Sequence, residues 1–365
     1  MKIGIDCRLW NETGVGRYTR NLVFNLQKID RKNEYVLFVL SKDYDQISQL
    51  SFLNSHLVRT DIRWHTIAEQ FYFPKILNRE NLDLMHFAYF SVPLFYNKPF
   101  VVTIHDLIVN HFSTGSASTL PLPIYKIKLL GYKAVMYMAA KRAKKVITVS
   151  NATKEEIVDH LRVDENKVVV TYEGVDDKIS NLKLQIPNKS QNTKYKILNT
   201  KYFLYVGNAF PHKNLERLMD AFSVSCQGND TKLILVGKDD YFYKKLRKKV
   251  EDMKLDGKVI FLQNISDQEL SDLYNNSLAL VSPSLMEGFG LPALEAMANK
   301  CLVLSSDIPA LKEICGDAAI YFDPYNIKDM AKKMNEVHSN DTYYYSDKKG
   351  KGLERIKLFS WQKMA

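Results

Sequence analysis

Two kinds of segment alternate along almost the whole chain: short apolar runs rich in β-branched residues, and longer stretches with helical periodicity. In the first half we predict strands at residues 2–5, 35–40, 83–87, 100–104, 146–149 and 167–171. Helical patterns lie between them, near residues 15–29, 125–145 and 152–161. Strands that alternate with helices in this way predict a parallel sheet covered by helices.

The second half repeats this plan, and 365 residues are enough for two domains that each bury a core. Its predicted strands are at residues 202–206, 232–236, 259–262, 278–281, 302–304 and 320–322, with helices near 215–226, 241–253, 267–276 and 327–337. We place domains at residues 1–178 and 201–345, a polar connector at 179–200 and a last helix at 346–365. Two doubly wound domains are expected to bind ligands at the carboxyl ends of their strands, in the crevice between them.

The stretch 283–298 sets two carboxylates, Glu287 and Glu295, around a glycine turn that leads into a helix. Pro292 suits the first helical position, which would put Glu295 in the opening turn. Glycines let the backbone approach a ligand, and the free amides at a helix start favour a diphosphate. We therefore predict that Glu287 accepts sugar hydroxyls and that Glu295 accepts ribose hydroxyls. The donor-binding residues predicted at this turn are Gly288, Phe289, Gly290, Leu291 and Glu295.

Two glutamates separated by seven residues around Gly-Phe-Gly-Leu-Pro resemble the signature of glycosyltransferase family 4. That resemblance implies a retaining enzyme of the GT-B fold, with two Rossmann-like domains facing across a cleft. It implies a nucleotide-sugar donor, and we predict no essential metal and no other cofactor. Residues 359–365 resemble the start of the family's last helix, which crosses back to the first domain. Without the resemblance, Glu295 could be a favourable charge near a helix start and Glu287 a solvated loop residue.

Three further motifs follow predicted strands. Lys213, after the turn at Gly207, suits a donor phosphate. The loop with Gly14, Gly16 and Arg17 resembles the family's glycine loop near the diphosphate, although it lacks the third glycine of a dinucleotide fingerprint and also fits a plain turn.

His105 ends a predicted strand, and the resemblance places it near the transferred sugar. Its alternative role is that of a satisfied histidine at a strand end. Asp106 would orient that imidazole or cap the following turn. The predicted catalytic residues are thus His105, Asp106 and Glu287.

The net charge of +10 is spread over both halves, and no nucleic-acid reader motif accompanies it, so we expect no nucleic-acid partner. The basic, apolar helix at 125–145 fits either a helix that packs on a core or one that makes peripheral contact with an anionic membrane. The Asp43-Tyr44-Asp45 motif falls at a helix start, where aspartates cap, so it does not predict a metal site. Four cysteines without paired spacing, and the lack of an apolar leader, favour the cytoplasm or the inner face of the cell membrane.

These features predict a retaining hexosyltransferase that acts on a glycan or lipid-linked acceptor. The Gly-Val-Gly-Arg-Tyr and His-Asp-Leu variants resemble mannosyltransferases of polysaccharide or O-antigen assembly, which makes GDP-mannose the leading donor. A sugar-nucleotide epimerase and a non-catalytic nucleotide or glycan binder are the alternatives. Hydrolysis is disfavoured, because eight helical positions advance about 12 Å, more than a glycosidase acid pair allows.

Overall fold

The computed structural model describes residues 1–50, 54–112, 120–175, 200–225, 228–340 and 345–365. These residues form two compact units, Met1–Glu173 together with Trp361–Ala365, and Gly174–Ser360. The predicted connector at 179–200 lies outside the described residues except for Thr200.

The described part of the first unit contains a seven-stranded parallel sheet in the order β3-β2-β1-β4-β5-β6-β7. Its strands are β1 (Lys2–Asp6), β2 (Glu34–Leu40), β3 (Ser55–Thr60), β4 (Leu84–Phe87), β5 (Phe100–Thr103), β6 (Val146–Thr148) and β7 (Val168–Val170). Its helices are α1 (Gly14–Ile29), α2 (Ser41–Ser48), α3 (Ile67–Arg79), α4 (Ile108–His111), α5 (Leu122–Arg142) and α6 (Asn151–Leu161). The strand order reverses between β1 and β4, which defines a topological switch point there.

The described part of the second unit repeats this architecture with a six-stranded parallel sheet in the order β10-β9-β8-β11-β12-β13. Its strands are β8 (Tyr202–Val206), β9 (Lys232–Val236), β10 (Val259–Leu262), β11 (Ala279–Ser282), β12 (Val303–Ser306) and β13 (Ala319–Phe322). Its helices are α7 (Leu215–Ser225), α8 (Tyr241–Asp252), α9 (Asp267–Asn276), α10 (Leu291–Ala298), α11 (Pro309–Cys315), α12 (Ile327–Ser339) and α13 (Ser346–Ile356). Here the switch point lies between β8 and β11.

The segment 346–365, predicted as one helix, forms two. Helix α13 packs against α10 in the second unit, whereas α14 (Trp361–Met364) belongs to the first unit and contacts α1. The chain therefore returns to the first unit after Ser360.

All twelve strands predicted from the apolar runs are confirmed, each with ends within two residues of the structure. The sequence prediction missed β3 because it is an edge strand with mostly polar, half-exposed side chains, so it lacks the apolar run of a central strand. It also missed α3, whose helical pattern is interrupted by Pro74. Central strands such as β2, which is buried at every position after Glu34, have the apolar runs that made them predictable.

Candidate active site

The switch point of the second unit gathers the loops that follow β8 and β11, and hydrogen bonds join them. The Leu285 amide donates to the His212 carbonyl at 2.8 Å. The Asn214 side-chain amide donates to the carbonyl of Pro283 at 3.0 Å. Asn214 has a positive φ of 60°, a conformation that asparagine tolerates better than most residues. These hydrogen bonds therefore hold the two loops together at the carboxyl edge of the sheet.

Lys213 and Glu287 meet at this edge. The ammonium Nζ lies 2.6 Å from Glu287 Oε1, and the Ser284 hydroxyl donates to the same oxygen at 2.6 Å. The side chains of the ion pair are 17% and 14% exposed, so the pair is accessible but poorly screened. Burial raises the pKa of Glu287, but the charge and hydrogen bond of Lys213, with the Ser284 hydroxyl, outweigh it and hold the pKa below its ordinary value. Glu287 is therefore ionised at neutral pH.

The glycine turn before α10 has a backbone that requires glycine. Gly290 has φ 101°, and a Cβ there would lie 2.6 Å from Leu311 Cδ2. The helix begins at Leu291, so Pro292 is its second residue and Glu295 its fifth. The prediction that Glu295 lies in the opening turn was wrong, because Gly290 ends the loop one residue earlier than Pro292 suggests.

Two residues of the predicted donor site point into the protein. Glu295 is buried, and its Oε2 accepts a hydrogen bond from the Tyr274 hydroxyl at 2.9 Å. Phe289 is also buried and packs edge-to-face on Phe359, with ring centroids 5.7 Å apart. Neither side chain faces solvent in this conformation, and Glu295 is held by Tyr274, which the sequence analysis did not single out.

The packing around position 207 requires a glycine. Its φ is 152°, and a Cβ would lie 2.7 Å from the Tyr205 hydroxyl. The Tyr243 hydroxyl also donates to the Gly207 carbonyl at 2.7 Å. Two tyrosines therefore hold the turn that leads to Lys213.

The glycine loop of the first unit contains two glycines in different surroundings. A Cβ at Gly16 would lie 2.6 Å from the Trp10 carbonyl oxygen and 2.7 Å from that of Leu9, so this glycine permits a close backbone approach. Gly14 is exposed, and a Cβ there would meet nothing within 4 Å. Arg17 lies one turn into α1, with its amide donating to the Thr13 carbonyl at 3.1 Å. Gly14 is thus the member of the loop with room beside it.

His105 lies at the carboxyl end of β5 and is only 11% exposed. Its Nε2 donates to the Ala88 carbonyl at 3.0 Å, since a carbonyl can only accept. The Tyr18 ring meets the imidazole edge-to-face at 4.7 Å. The Nδ1 atom faces Glu173 Oε1 at 3.6 Å. Asp106 accepts a hydrogen bond from the Ile108 amide at 3.0 Å, which is the turn-capping role.

Glu173 is a residue that the sequence analysis missed. It is buried and follows β7, the last strand of the first sheet. A carboxylate shortly after an apolar strand was the signal, since carboxyl ends of parallel strands meet at one edge.

Of the other predictions, Asp43 is buried and accepts a hydrogen bond from the Asn11 amide at 2.9 Å. Within the described ranges, no group of three His, Cys, Asp or Glu side chains could hold a metal ion. Nor does any helix of those ranges have the length and apolarity needed to cross a membrane.

Known proteins resemble this chain in sequence and in fold. The family model described as Glycosyltransferase Family 4 matches residues 13–178, and the one described as Glycosyl transferases group 1 matches residues 188–351. The chain is 30% identical to the O-antigen chain mannosyltransferase RfbU of Salmonella typhimurium over 274 residues, 75% of this chain and 70% of that protein. It is 26% identical to O-antigen chain mannosyltransferase B of Escherichia coli, over 96% of this chain and 93% of the relative.

Among solved structures, sucrose-phosphate synthase from Thermosynechococcus elongatus matches with a TM-score of 0.78 and 18% identity, covering 100% of this chain and 96% of that one. The two parallel-sheet units and the matching families define a glycosyltransferase of the GT-B fold. The chain belongs to glycosyltransferase family 4.

Proposed function

We propose that this glycosyltransferase transfers a hexose from a nucleotide diphosphate sugar, with mannose from GDP-mannose as the leading donor. The acceptor is a glycan or lipid-linked hydroxyl in cell-surface polysaccharide synthesis, and the anomeric configuration is retained. The observation that carries this proposal is the Lys213–Glu287 pair at the switch point of the second unit. The relatives named as O-antigen mannosyltransferases support the choice of sugar and pathway.

The chemistry requires stabilisation of the leaving diphosphate. As the bond between the anomeric carbon and the phosphate oxygen breaks, negative charge develops on that oxygen, and Lys213 offers a cation beside it. The acceptor oxygen forms the new bond on the same face, and its proton passes to the leaving phosphate. Glu287 accepts hydroxyls of the sugar, and Glu295 accepts hydroxyls of the ribose, to which it would turn from Tyr274.

Product analysis tests the reaction class. Donor and acceptor together should give a new glycoside with retained configuration, whereas donor alone should not be converted. Conversion of donor without acceptor would indicate an epimerase, and binding without conversion would indicate a non-catalytic protein. A thermal-shift comparison of GDP-mannose, UDP-glucose and UDP-N-acetylglucosamine tests the donor, and GDP-mannose should give the largest rise.

Two substitutions test the site. Lys213→Met and Glu287→Gln should each reduce transfer by roughly 10²-fold or more, because preorganised charges act in a poorly screened site. Lys249→Met is the matched control, since Lys249 pairs with Asp220 at 2.9 Å on the surface of the same unit. Transfer at the wild-type rate in either site variant would contradict the role assigned to that residue.

We further propose that the first unit contacts an anionic membrane at the cytoplasmic face through the first half of α5. The exposed fractions of Leu122, Ile124, Ile127 and Leu130 are 58%, 55%, 75% and 70%, and Lys126 and Lys128 lie among them. The buried residues of this helix, Met136, Ala139 and Ala140, all lie in its second half. Apolar side chains mixed with lysines suit an interface of acyl chains and anionic headgroups.

Vesicle sedimentation tests the membrane contact. The wild-type protein should bind vesicles that contain phosphatidylglycerol more strongly than vesicles of phosphatidylcholine alone. Replacing Ile127 and Leu130 by glutamate should abolish this binding. Val224→Glu, at a residue 50% exposed in the second unit, is the control and should bind normally. Equal binding of all variants would contradict the proposal.

A further inference from the structure

An aromatic cluster lies at the carboxyl edge of the first sheet, and the functions described above do not use it. We define the cluster as His65, Tyr89, Phe90 and Tyr132. His65 follows β3, Tyr89 and Phe90 follow β4, and Tyr132 projects from α5. The His65 ring centroid lies 4.4 Å from that of Tyr132 and 5.6 Å from that of Tyr89. Phe90 is buried beneath, whereas the other three rings are half-buried and so meet solvent.

Hydrogen bonds hold His65 in an unfavourable backbone conformation. Its φ of 56° is a left-handed conformation that an L-residue seldom adopts. Its amide donates to Glu69 Oε2 at 2.8 Å and lies 3.0 Å from the Ser91 hydroxyl oxygen. Glu69 is fully buried and pairs with Arg8 at 2.7 Å. An unfavourable backbone conformation held by a buried ion pair is a reason to look for function at that residue.

The cluster has the chemistry of a carbohydrate site. Burial, together with the positive charges of Lys128 and Arg8, lowers the pKa of His65 to about 4, so its ring is neutral at neutral pH. Lys128 Nζ lies 5.5 Å from the centroid of the Tyr132 ring, and burial together with the nearby Asp106 raises the pKa of Tyr89. Flat neutral rings bordered by an ammonium, a carboxylate and phenol hydroxyls match a pyranose, which has apolar C–H faces and a hydroxylated rim.

The cluster also lies beside the candidate catalytic histidine. The ring centroids of Tyr89 and His105 are 6.5 Å apart, with an angle of 30° between the planes. A sugar ring resting on His65 and Tyr132 would therefore lie next to the edge that carries His105 and Asp106.

We infer that His65, Tyr89 and Tyr132 form a subsite that binds a pyranose ring of the acceptor glycan by stacking. The inference rests on the proposed function, because it names the group that receives the sugar. The ring faces contribute contact area and orientation, and Lys128 and Asp106 bond hydroxyls at the rim. This makes the acceptor a sugar at the point of contact, even where the rest of it is lipid-linked.

Kinetics of Tyr132 variants test the subsite. Tyr132→Leu retains apolar volume and helix propensity but removes the flat face, so the acceptor KM should rise on the order of tenfold. The donor KM and the slow hydrolysis of donor without acceptor should stay unchanged, and Tyr132→Phe should restore the wild-type acceptor KM. Tyr44→Leu is the matched control, because Tyr44 is also half-buried in this unit and has the Arg59 guanidinium 3.7 Å from its ring centroid.

A binding measurement separates this inference from the reaction itself. Saturation-transfer NMR with methyl α-mannopyranoside should show strong transfer to the ring protons with wild-type protein and little with Tyr132→Leu. If the wild-type protein transfers sugar while Tyr132→Leu keeps a normal acceptor KM and normal saturation transfer, the subsite is refuted and the proposed function stands. If the wild-type protein transfers no sugar but binds the mannoside in a Tyr132-dependent way, the subsite stands and the reaction is refuted.

Discussion

Two glycines in the first turn of α1, Gly14 and Gly16, separate a packing role from a ligand role. At Gly16, an added Cβ would lie 2.6 Å and 2.7 Å from two backbone carbonyl oxygens, which cannot move as a side chain would. Gly16→Ala should therefore destabilise the first unit by about 1–3 kcal/mol, the usual cost of overpacking. At Gly14, an added Cβ meets nothing within 4 Å at the first position of a helix, so Gly14→Ala should change stability by less than about 1 kcal/mol.

The assay uses the tryptophans, because Trp10, Trp64 and Trp361, the three that the chain contains, all belong to the first unit. Urea unfolding followed by their fluorescence thus reports on that unit without a contribution from the other. Gly16→Ala should lower the midpoint clearly, and Gly14→Ala should not. The same two proteins are then assayed for transfer.

The predicted role of Gly14 adds a second readout. If a donor phosphate lies over the start of α1, Gly14→Ala should raise the donor KM although its stability is normal. Equal losses of stability in the two variants would refute the packing argument. A normal donor KM in Gly14→Ala would refute the ligand role of that glycine.

Three more predictions concern the second unit. Gly290→Ala should destabilise it by about 1–3 kcal/mol, through a strained φ and a close side-chain contact, as measured by thermal unfolding. Tyr274→Phe should cost about 1–3 kcal/mol in the same assay, because it removes the hydroxyl that donates to the buried Glu295 carboxylate. Lys213→Met should shift the acid limb of the pH–rate profile upward, since the lysine opposes burial and lowers the pKa of Glu287.

The two predictions about stability each have a control. Gly257→Ala combines a positive φ of 74° with no atom within 4 Å, so it measures the strain without the contact and should cost less than Gly290→Ala. Tyr321→Phe removes a half-buried hydroxyl that donates to the Gly316 carbonyl, and it should cost less than Tyr274→Phe.

The sign of the pH effect on stability also follows for Glu287. Its pKa is lowered in the folded protein, so its contribution is complete above the unfolded value of about 4.5. That contribution should be lost as the pH falls through the lower folded value. In the pH–rate profile of Lys213→Met, an acid limb that does not move, or that moves to lower pH, would contradict the effect of Lys213 on the pKa of Glu287.

The strand and helix pattern was predictable because central parallel strands are mostly apolar, and β8 and β11 have that property. The glycine turn around Glu287 could also be predicted from the sequence, because glycine and proline constrain the backbone locally. The contact between Lys213 and Glu287 was not, because 74 residues separate them and only the sheet order brings their loops together.

The same limit applies to the first unit. Glu173 and His105 meet because β7 and β5 end at one edge, and no local pattern encodes this proximity. The left-handed His65 and the aromatic cluster depend on a buried ion pair between Arg8 and Glu69, which are 61 residues apart. Local spacing predicts turns and helix starts, whereas tertiary contacts decide which side chains share a site.

Calorimetric titration with a nucleoside and its diphosphate tests the central claim most directly. GDP and guanosine, with UDP and uridine in parallel, are titrated into the wild type, Lys213→Met and the control Lys249→Met. If Lys213 binds the diphosphate at the switch point of the second unit, Lys213→Met should lower the affinity for the diphosphate by about tenfold or more. The affinity for the nucleoside should not change. Equal affinities of wild type and Lys213→Met for the diphosphate that binds would contradict the claim.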